Sequence, residues 1–586
     1  MALPPCGKRL LRTPGRLAFL LTLVVGLPLV AVSSLIAFDS PFDAAPLTDV
    51  DTAGYGFSPN TGPALRIAIW LGVRVLFLAL FALAAYYASR FAVRLREGDP
   101  VYRRWLIVAV CFIVVNLTVL LLTWPGYWVY DEYGVLADVQ KNWLPTWQHI
   151  FSSIFYALGL TLIPIPSGIL ITQIVLGSFV AGYVVARSWS LFSRPRLAYL
   201  LVIPFLYFPV LLFEQYPLRV TMFAYLELVV LFRILVVHLR PELVTNRYRE
   251  FFLLASALSV AAFWRTEAIF SLVFIPILAI SLRIFRPREA GAGVRRVAAT
   301  VAATALVLTG VGGVSVLTSN AKYPVTAVVN PLSMMLQQPL GGAHLKDNLA
   351  AINTVVDVEL VRSMPSPNDI PSFWTDHPLR EDYREHMAEF ERGYASLVLE
   401  NPGAFLHARM TTFLATNSMG DVAPEGVQGY AFLATKGKEF LGPFYERNPS
   451  AVPLNAELRE TTVRTLLVIP SGTDITPLTT AVWNVIPALV LLLVAFGTAI
   501  ARRRWVPALV FGLMLLRAAI TFVTAPADYF MYYFSVFLVG WVLVGFFALR
   551  GIPPKVTGAD EGQAIDRTRE PGPEREREPG MAQAER

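Results

Sequence analysis

The sequence predicts an all-α polytopic membrane protein with about twelve transmembrane helices and one extracytoplasmic, mainly helical domain. Three observations carry that prediction. Of 586 residues, 55% are hydrophobic and only 16% are charged. A soluble protein has about a quarter charged residues, so this exterior is solvated by lipid. Apolar runs of about 20 residues, enough to cross a hydrocarbon core roughly 30 Å thick, recur along the chain. Lysines and arginines collect in short clusters between those runs, where the positive-inside rule places cytoplasmic loops. That placement accounts for the net charge of +7 without nucleic acid. Cys6 lies in the amino-terminal tail and Cys111 inside an apolar run, so neither a disulfide framework nor a thiolate metal site is expected.

Residues 1–317 read as an amino-terminal transmembrane region. Met1 to Arg16 carries Lys8, Arg9, Arg12 and Arg16 and is expected in the cytoplasm. The first span, Leu17 to Ala37, is long for a signal sequence and reads as an uncleaved anchor. The next loop holds Asp39, Asp43, Asp49 and Asp51 without a lysine or arginine, so it belongs outside. A second span, Leu65 to Ala88, returns to the basic stretch Arg90 to Arg104. A third, Trp105 to Trp124, delivers the segment WPGYWVYDEYG to the outer face. The apolar run Ile150 to Ile163 is short and ends at Pro164 and Pro166. If it crossed, the basic stretches 187–196 and 233–249 would land outside. An interfacial or re-entrant helix keeps both inside, which the charge rule favours. Spans then fall near 167–186, 198–213, 220–237, 250–264, 268–284 and 296–317.

Residues 318–475 change character, with Pro, Asn and Asp punctuation and an amphipathic helical pattern that stops at Asn401-Pro402. This is the expected extracytoplasmic domain, because Arg502, Arg503 and Arg504 mark the far side of the next span as cytoplasmic. Spans near 477–499, 506–524 and 530–549 make up the carboxy-terminal group, 476–550. The tail, 551–586, is rich in Glu, Arg, Pro and Gly and is expected to be disordered. Both termini are expected in the cytoplasm, with the protein in the plasma membrane. No internal repeat stands out, which weakens a secondary-transporter reading.

The candidate site residues gather on the predicted outer side. Asp131 and Glu132 sit in the loop 125–149 among Trp124, Tyr127, Trp128, Tyr130 and Tyr133. One reading is an aromatic belt with two solvated acids. The other is a carboxylate base at the membrane surface, its pKa tuned by a half-buried aromatic setting. Asp138, Gln140, Lys141, Trp147, Gln148 and His149 crowd the same stretch and favour a site. Glu214, Gln215 and Arg219 form a second group, and Arg265 with Glu267 a third. Arg517 lies inside an apolar run, and Asp528 stands at the start of the last span. A charge within the membrane costs about 2.5 kcal/mol or more and faces an interior partner or cavity. A structural ion pair is therefore the alternative to ligand binding at these arginines, whose planar fork also suits phosphate. The six histidines show no metal-binding pairing, and no nucleotide-binding loop is present. A pair of outer carboxylates beside a phosphate offers a divalent cation such as Mg or Mn a seat, but nothing in the sequence requires one.

The run WPGYWVYDEYGVLADVQKNWLPTWQH, with SSIFYALG and ILITQIVLG after it, resembles the first outer loop of bacterial GT-C-type membrane glycosyltransferases. FEQYPLRVTMFAY resembles their second outer loop, AFWRTEAIF the Arg-containing helix end that follows, and NPGAFLHARMTTFL a late element of their outer domain. The likeness runs loosely over most of 105–415. It implies a polyprenyl-phosphate-sugar donor and hexosyl or pentosyl transfer to a glycan, lipid or protein acceptor, in assembly of cell-envelope glycan or a glycoconjugate. Asp131 matches the loop carboxylate that acts as base or orients the acceptor, with Glu132 beside it. Glu214 stands near the family's second-loop acid, although Arg219 occupies the usual acidic position before the helix. A pair of spans stands before the one that delivers the motif loop, where many relatives have only one. The implied activity is inverting transfer at the outer leaflet, with Arg219, Arg265 and Arg517 neutralising the leaving phosphate. Lys141, Gln148, His149, Glu214 and Asp528 are the remaining substrate-contacting candidates. A transporter or flippase of a lipid-linked glycan, a glycan polymerase or ligase, and a non-catalytic scaffold are the competing classes.

Overall fold

The computed structural model describes residues 14–42, 63–144, 150–285, 292–317, 323–370, 373, 379–419, 442, 444–469 and 475–551. Among them there is no strand. Eight helices are long and apolar enough to cross a membrane, and nine if one bent pair is a single span. The chain is a multi-pass, all-α membrane protein.

The eight are α1 (Pro14–Ile36), α2 (Ala64–Arg96), α3 (Pro100–Leu122), α6 (Pro166–Leu191), α8 (Arg219–Leu239), α11 (Val294–Gly313), α17 (Pro477–Ala501) and α18 (Trp505–Thr524). Between α3 and α6 lie two shorter helices, α4 (Tyr130–Gln140) and α5 (Ile150–Leu162). The bent pair is a 3-10 helix, Pro195–Leu206, meeting α7 (Phe208–Glu214) at 66°. Pro204 and Pro209 flank the bend, each without a backbone donor, which breaks a continuous ladder there. The remaining apolar elements are α9 (Arg247–Trp264), α10 (Phe274–Ser281) and α19 (Phe534–Arg550).

Small residues set the closest packing, as expected where lipid removes the hydrophobic drive between helices. A Cβ on Gly182 of α6 would lie 2.7 Å from the Trp105 carbonyl of α3. The Trp105 indole crosses the same contact to donate to the Phe179 carbonyl at 2.8 Å. One on Gly177 would meet the Glu214 carboxylate and lie 3.0 Å from the Tyr225 ring. Around these contacts α3, α6, α8, α18 and α19 build the main apolar core, including Leu228, Phe232, Phe511 and Phe537.

A second core lies in the polar region. It is assembled from α12 (Tyr323–Met335), α13 (Leu345–Asn353), α14 (Met387–Glu400) and α15 (Pro402–Thr416), with Val329, Ile352, Phe390 and Leu397 inside. A further helix, α16 (Ala456–Leu467), precedes α17.

The two ends of the bundle differ chemically. At one, the polar region is stitched to the ends of the long helices. The Trp124 indole donates to the Ser450 carbonyl at 2.8 Å. Arg409 donates to the Phe522 and Ala525 carbonyls at 2.6 and 2.8 Å. At the other end, Arg233 pairs with Glu250 at 2.5 Å, and the Arg104 guanidinium lies 3.6 Å above the Trp189 ring.

Candidate functional site

The loop leaving α3 is held by its own backbone. Gly126 takes φ +111°, a region closed to most side chains, and a Cβ there would lie 2.9 Å from the Gln215 carbonyl. Tyr127 N–H then donates to that carbonyl at 2.7 Å, which ties the first loop to the segment after α7. The chain enters α4 at Tyr130, so Asp131 and Glu132 occupy its first turn, where the helix dipole favours negative charge. Glu132 is fully buried. Tyr133 stacks on Trp128 with centroids 5.7 Å apart and meets Phe444 edge-on at 4.3 Å. Burial, then the charges of Tyr445 and Glu132, hold the Tyr133 hydroxyl above its usual range, against the pull of Arg459. Arg459, from α16, also donates to the Gly126 carbonyl at 3.3 Å. Lys141 forms the C-cap of α4. The side chains of Asp131 and Glu267, together with Gln148 and His149, lie outside the described residues.

A second group forms where α9 ends. Arg265 is its C-cap, in extended backbone and almost wholly buried, with its guanidinium 6.0 Å from the Tyr532 ring. Tyr532 belongs to the loop after α18, which also carries Asp528. The Asp528 carboxylate is buried, and no other described residue hydrogen-bonds it. Burial pushes its carboxyl up to about 6, against its own backbone N–H.

Deeper in the bundle, Arg517 donates to Glu227 at 2.5 Å and to Ser535 at 3.0 Å, with its guanidinium 4.4 Å above the Phe223 ring. Ser535 also bonds Glu227. Phe223 shares a cluster with Trp264 and Ala268, so this ion pair borders the packing at the end of α9. Arg219, half-buried, opens α8 one turn before Phe223. Glu214 is placed differently. It is buried against Gly177, with a hydrogen bond to Tyr225, while Gln173 donates to the carbonyls of residues 213, 214 and 216. That arrangement is interior packing of the bent span.

Helix α5 connects the groups. Ser152 accepts from the Trp264 indole at 3.1 Å. Tyr156, four residues on, donates to the Pro217 carbonyl at 2.6 Å and lies 6.2 Å from the Trp128 ring. Four residues of helix rise about 6 Å, so the points at which α5 meets Trp264 and Trp128 are one helical turn apart. Asp528, Arg265 and Glu132 thus belong to one end of the bundle.

Glu227, Arg409 and Arg459 are functional candidates beyond those the sequence picks out. Glu227 carries the signal that marks Arg517, a charge within an apolar run. Arg409 and Arg459 stand in a polar region where a charge is unremarked. Among the described residues no group of three or more His, Cys, Asp or Glu side chains forms a metal-binding cluster. Comparison of the chain with protein-family models, curated proteins and solved structures finds no match.

Proposed function

We propose that the chain is a GT-C-type glycosyltransferase that moves a sugar from a polyprenyl-phosphate donor to an acceptor at the outer leaflet of the plasma membrane. The observation that carries this reading is that α5 meets Trp264, next to the buried Arg265, and Trp128, just before the acidic start of α4, one helical turn apart. Inverting transfer needs both groups within reach of one substrate. The acceptor oxygen forms a bond to the anomeric carbon while the bond from that carbon to the phosphate oxygen breaks. The acceptor proton passes to the carboxylate of Asp131, and the departing electron pair stays on the lipid phosphate. Arg265, together with Arg219, offsets the charge growing on that phosphate. Glu132 shapes the field around Asp131 from the buried side of α4.

An apolar groove of about 320 Å³ supports donor binding. It runs between α17 and α18, closed by Phe413, and ends at Tyr533, whose hydroxyl feels the charge of Arg409. An isoprenoid tail in that groove would bring its phosphate toward the polar end of the bundle. Counting the bent pair, α9, residues 266–281 and α19 as spans gives twelve. With basic loops cytoplasmic, the Asp131 end then faces outward and both termini face inward.

Asp131→Asn in purified, reconstituted protein is the test. The reading predicts loss of transfer by a factor of at least about 100, within the range that general-base catalysis contributes. Transfer near the wild-type rate would remove Asp131 from the mechanism. A second reading, a flippase for a lipid-linked glycan, draws on the 66° broken span and the buried Arg517–Glu227 pair. It predicts donor translocation in vesicles with no sugar transfer.

A further inference from the structure

At the end of α9 remote from Arg265, α9, α10 and α11 spread around a cleft of about 1150 Å³. Arg247, Arg249, Arg283 and Arg296 line it, and among the described residues Glu242 is the one acid beside them. Glu242 is already bonded by Arg240 at 3.1 Å, and nearby Glu250 by Arg233 at 2.5 Å. No ion pair among the described residues involves the four cleft arginines. Arg249, Arg283 and Arg296 are exposed, whereas Arg247 is half-buried and held in place. Arg247 donates to the Arg283 carbonyl and to the Tyr248 hydroxyl, both at 3.0 Å. Arg283 itself takes φ +52°, in the turn that ends α10, where its N–H and that of Ile284 bond back to Ile280 and Ala279 at 3.0 Å. Glycine is the usual occupant of that slot, so the arginine is kept there at a conformational cost.

We infer that this cleft seats the headgroup of an anionic phospholipid of the surrounding bilayer. The inference is independent of the transferase reading. Charge complementarity calls for an anion. Phe252, Leu282 and Ala303 give the same cleft an apolar wall, and α11 continues it with exposed Val301 and Leu306 along a membrane-length helix. A free phosphate ion has no use for that wall, whereas acyl chains do. Among the described residues, four arginines facing one engaged acid match a lipid with two phosphodiester groups, such as cardiolipin, better than one with a single charge. Basic pockets between transmembrane helices bind such headgroups in general.

The test is lipid binding to the delipidated full-length protein in a neutral detergent, with cardiolipin, phosphatidylcholine and inorganic phosphate as separate probes. Cardiolipin is expected to bind and raise the unfolding midpoint, and the other two to do neither. Arg247→Gln/Arg283→Gln/Arg296→Gln should weaken cardiolipin by about 100-fold, at about fivefold per arginine. Replacing the exposed arginines at 96, 103 and 502 by Gln, which removes the same charge elsewhere, should leave binding unchanged. If the cleft triple variant does not fold, Arg296→Gln alone, on the exposed side of α11, should still cost about fivefold. Equal cardiolipin affinity in wild type and cleft variants would overturn the inference, as would phosphatidylcholine or inorganic phosphate binding as well as cardiolipin.

Discussion

Removing one member of the Arg517–Glu227 pair is the most quantitative perturbation the interior offers. The two side chains are 0% and 6% exposed, their nitrogen and oxygen are 2.5 Å apart, and Ser535 contacts both. Arg517→Met leaves Glu227 as an uncompensated buried charge, and breaking a buried pair in this way costs about 3–5 kcal/mol. Replacing both residues by methionine removes both desolvation penalties and leaves apolar side chains against Phe223, so the double variant should fall within about 1 kcal/mol of wild type. Glu227→Met strands the arginine at a similar cost, so the coupling energy is about 5 kcal/mol or more. The assay is reversible unfolding in mixed micelles by SDS titration, carried out on wild type, both single variants and the double variant. The reasoning is refuted if Arg517→Met alone is within about 1 kcal/mol of wild type. It is equally refuted if the double variant loses as much as the two single variants combined.

Three further outcomes follow from particular contacts. Gly177→Ala should destabilise by about 1–3 kcal/mol, because its Cβ meets Glu214 and the Tyr225 ring, whereas Gly497→Ala, with open space around it inside a helix, should be neutral or slightly stabilising in the same titration. For Asp528 the folded carboxyl, at about 6, lies above its ordinary 3.8. The native state therefore holds a proton that the unfolded chain releases, and wild type loses stability as pH rises from about 4 to about 6. Asp528→Asn should match wild type below pH 4 and exceed it by about 3 kcal/mol above pH 7. Unfolding midpoints across that range check this, and parallel curves would contradict it. Arg409→Met strips a cation from the Phe522 and Ala525 carbonyls, at 2.6 and 2.8 Å. A loss of about 3 kcal/mol is expected from two hydrogen bonds to a charged group, and an unchanged unfolding midpoint would argue against it.

The membrane class was legible because lipid leaves little choice of sequence. A span such as α8 must be apolar and helical for its whole length. The shortness of 150–163 also carried real information, since α5 is only 13 residues long. Its role as the strut between Trp128 and Trp264 was not legible, because it depends on Ser152 and Tyr156 bonding residues distant in sequence. The same limit applies to Arg517. Its burial could be read from the apolar run around it, but its partner lies 290 residues away in α8. Arg74 in α2 is a further charge within an apolar run, its guanidinium buried 4.2 Å from the Phe38 ring. The intramembrane-charge argument that marked Arg517 applies to it equally. Arg459 had no such signal, because a charge in a polar segment stands out only once the fold brings it to the Gly126 carbonyl.

Equilibrium binding of a short-chain polyprenyl phosphate to purified protein tests most directly whether Arg265 grips a lipid phosphate. The account predicts that Arg265→Gln weakens binding about 10-fold or more, the worth of a charge-assisted hydrogen bond of about 1.5–3 kcal/mol. The Arg517→Met/Glu227→Met variant, expected to match wild type in stability, serves as a control for loss of an interior arginine. Affinity in Arg265→Gln equal to that of wild type would contradict the account.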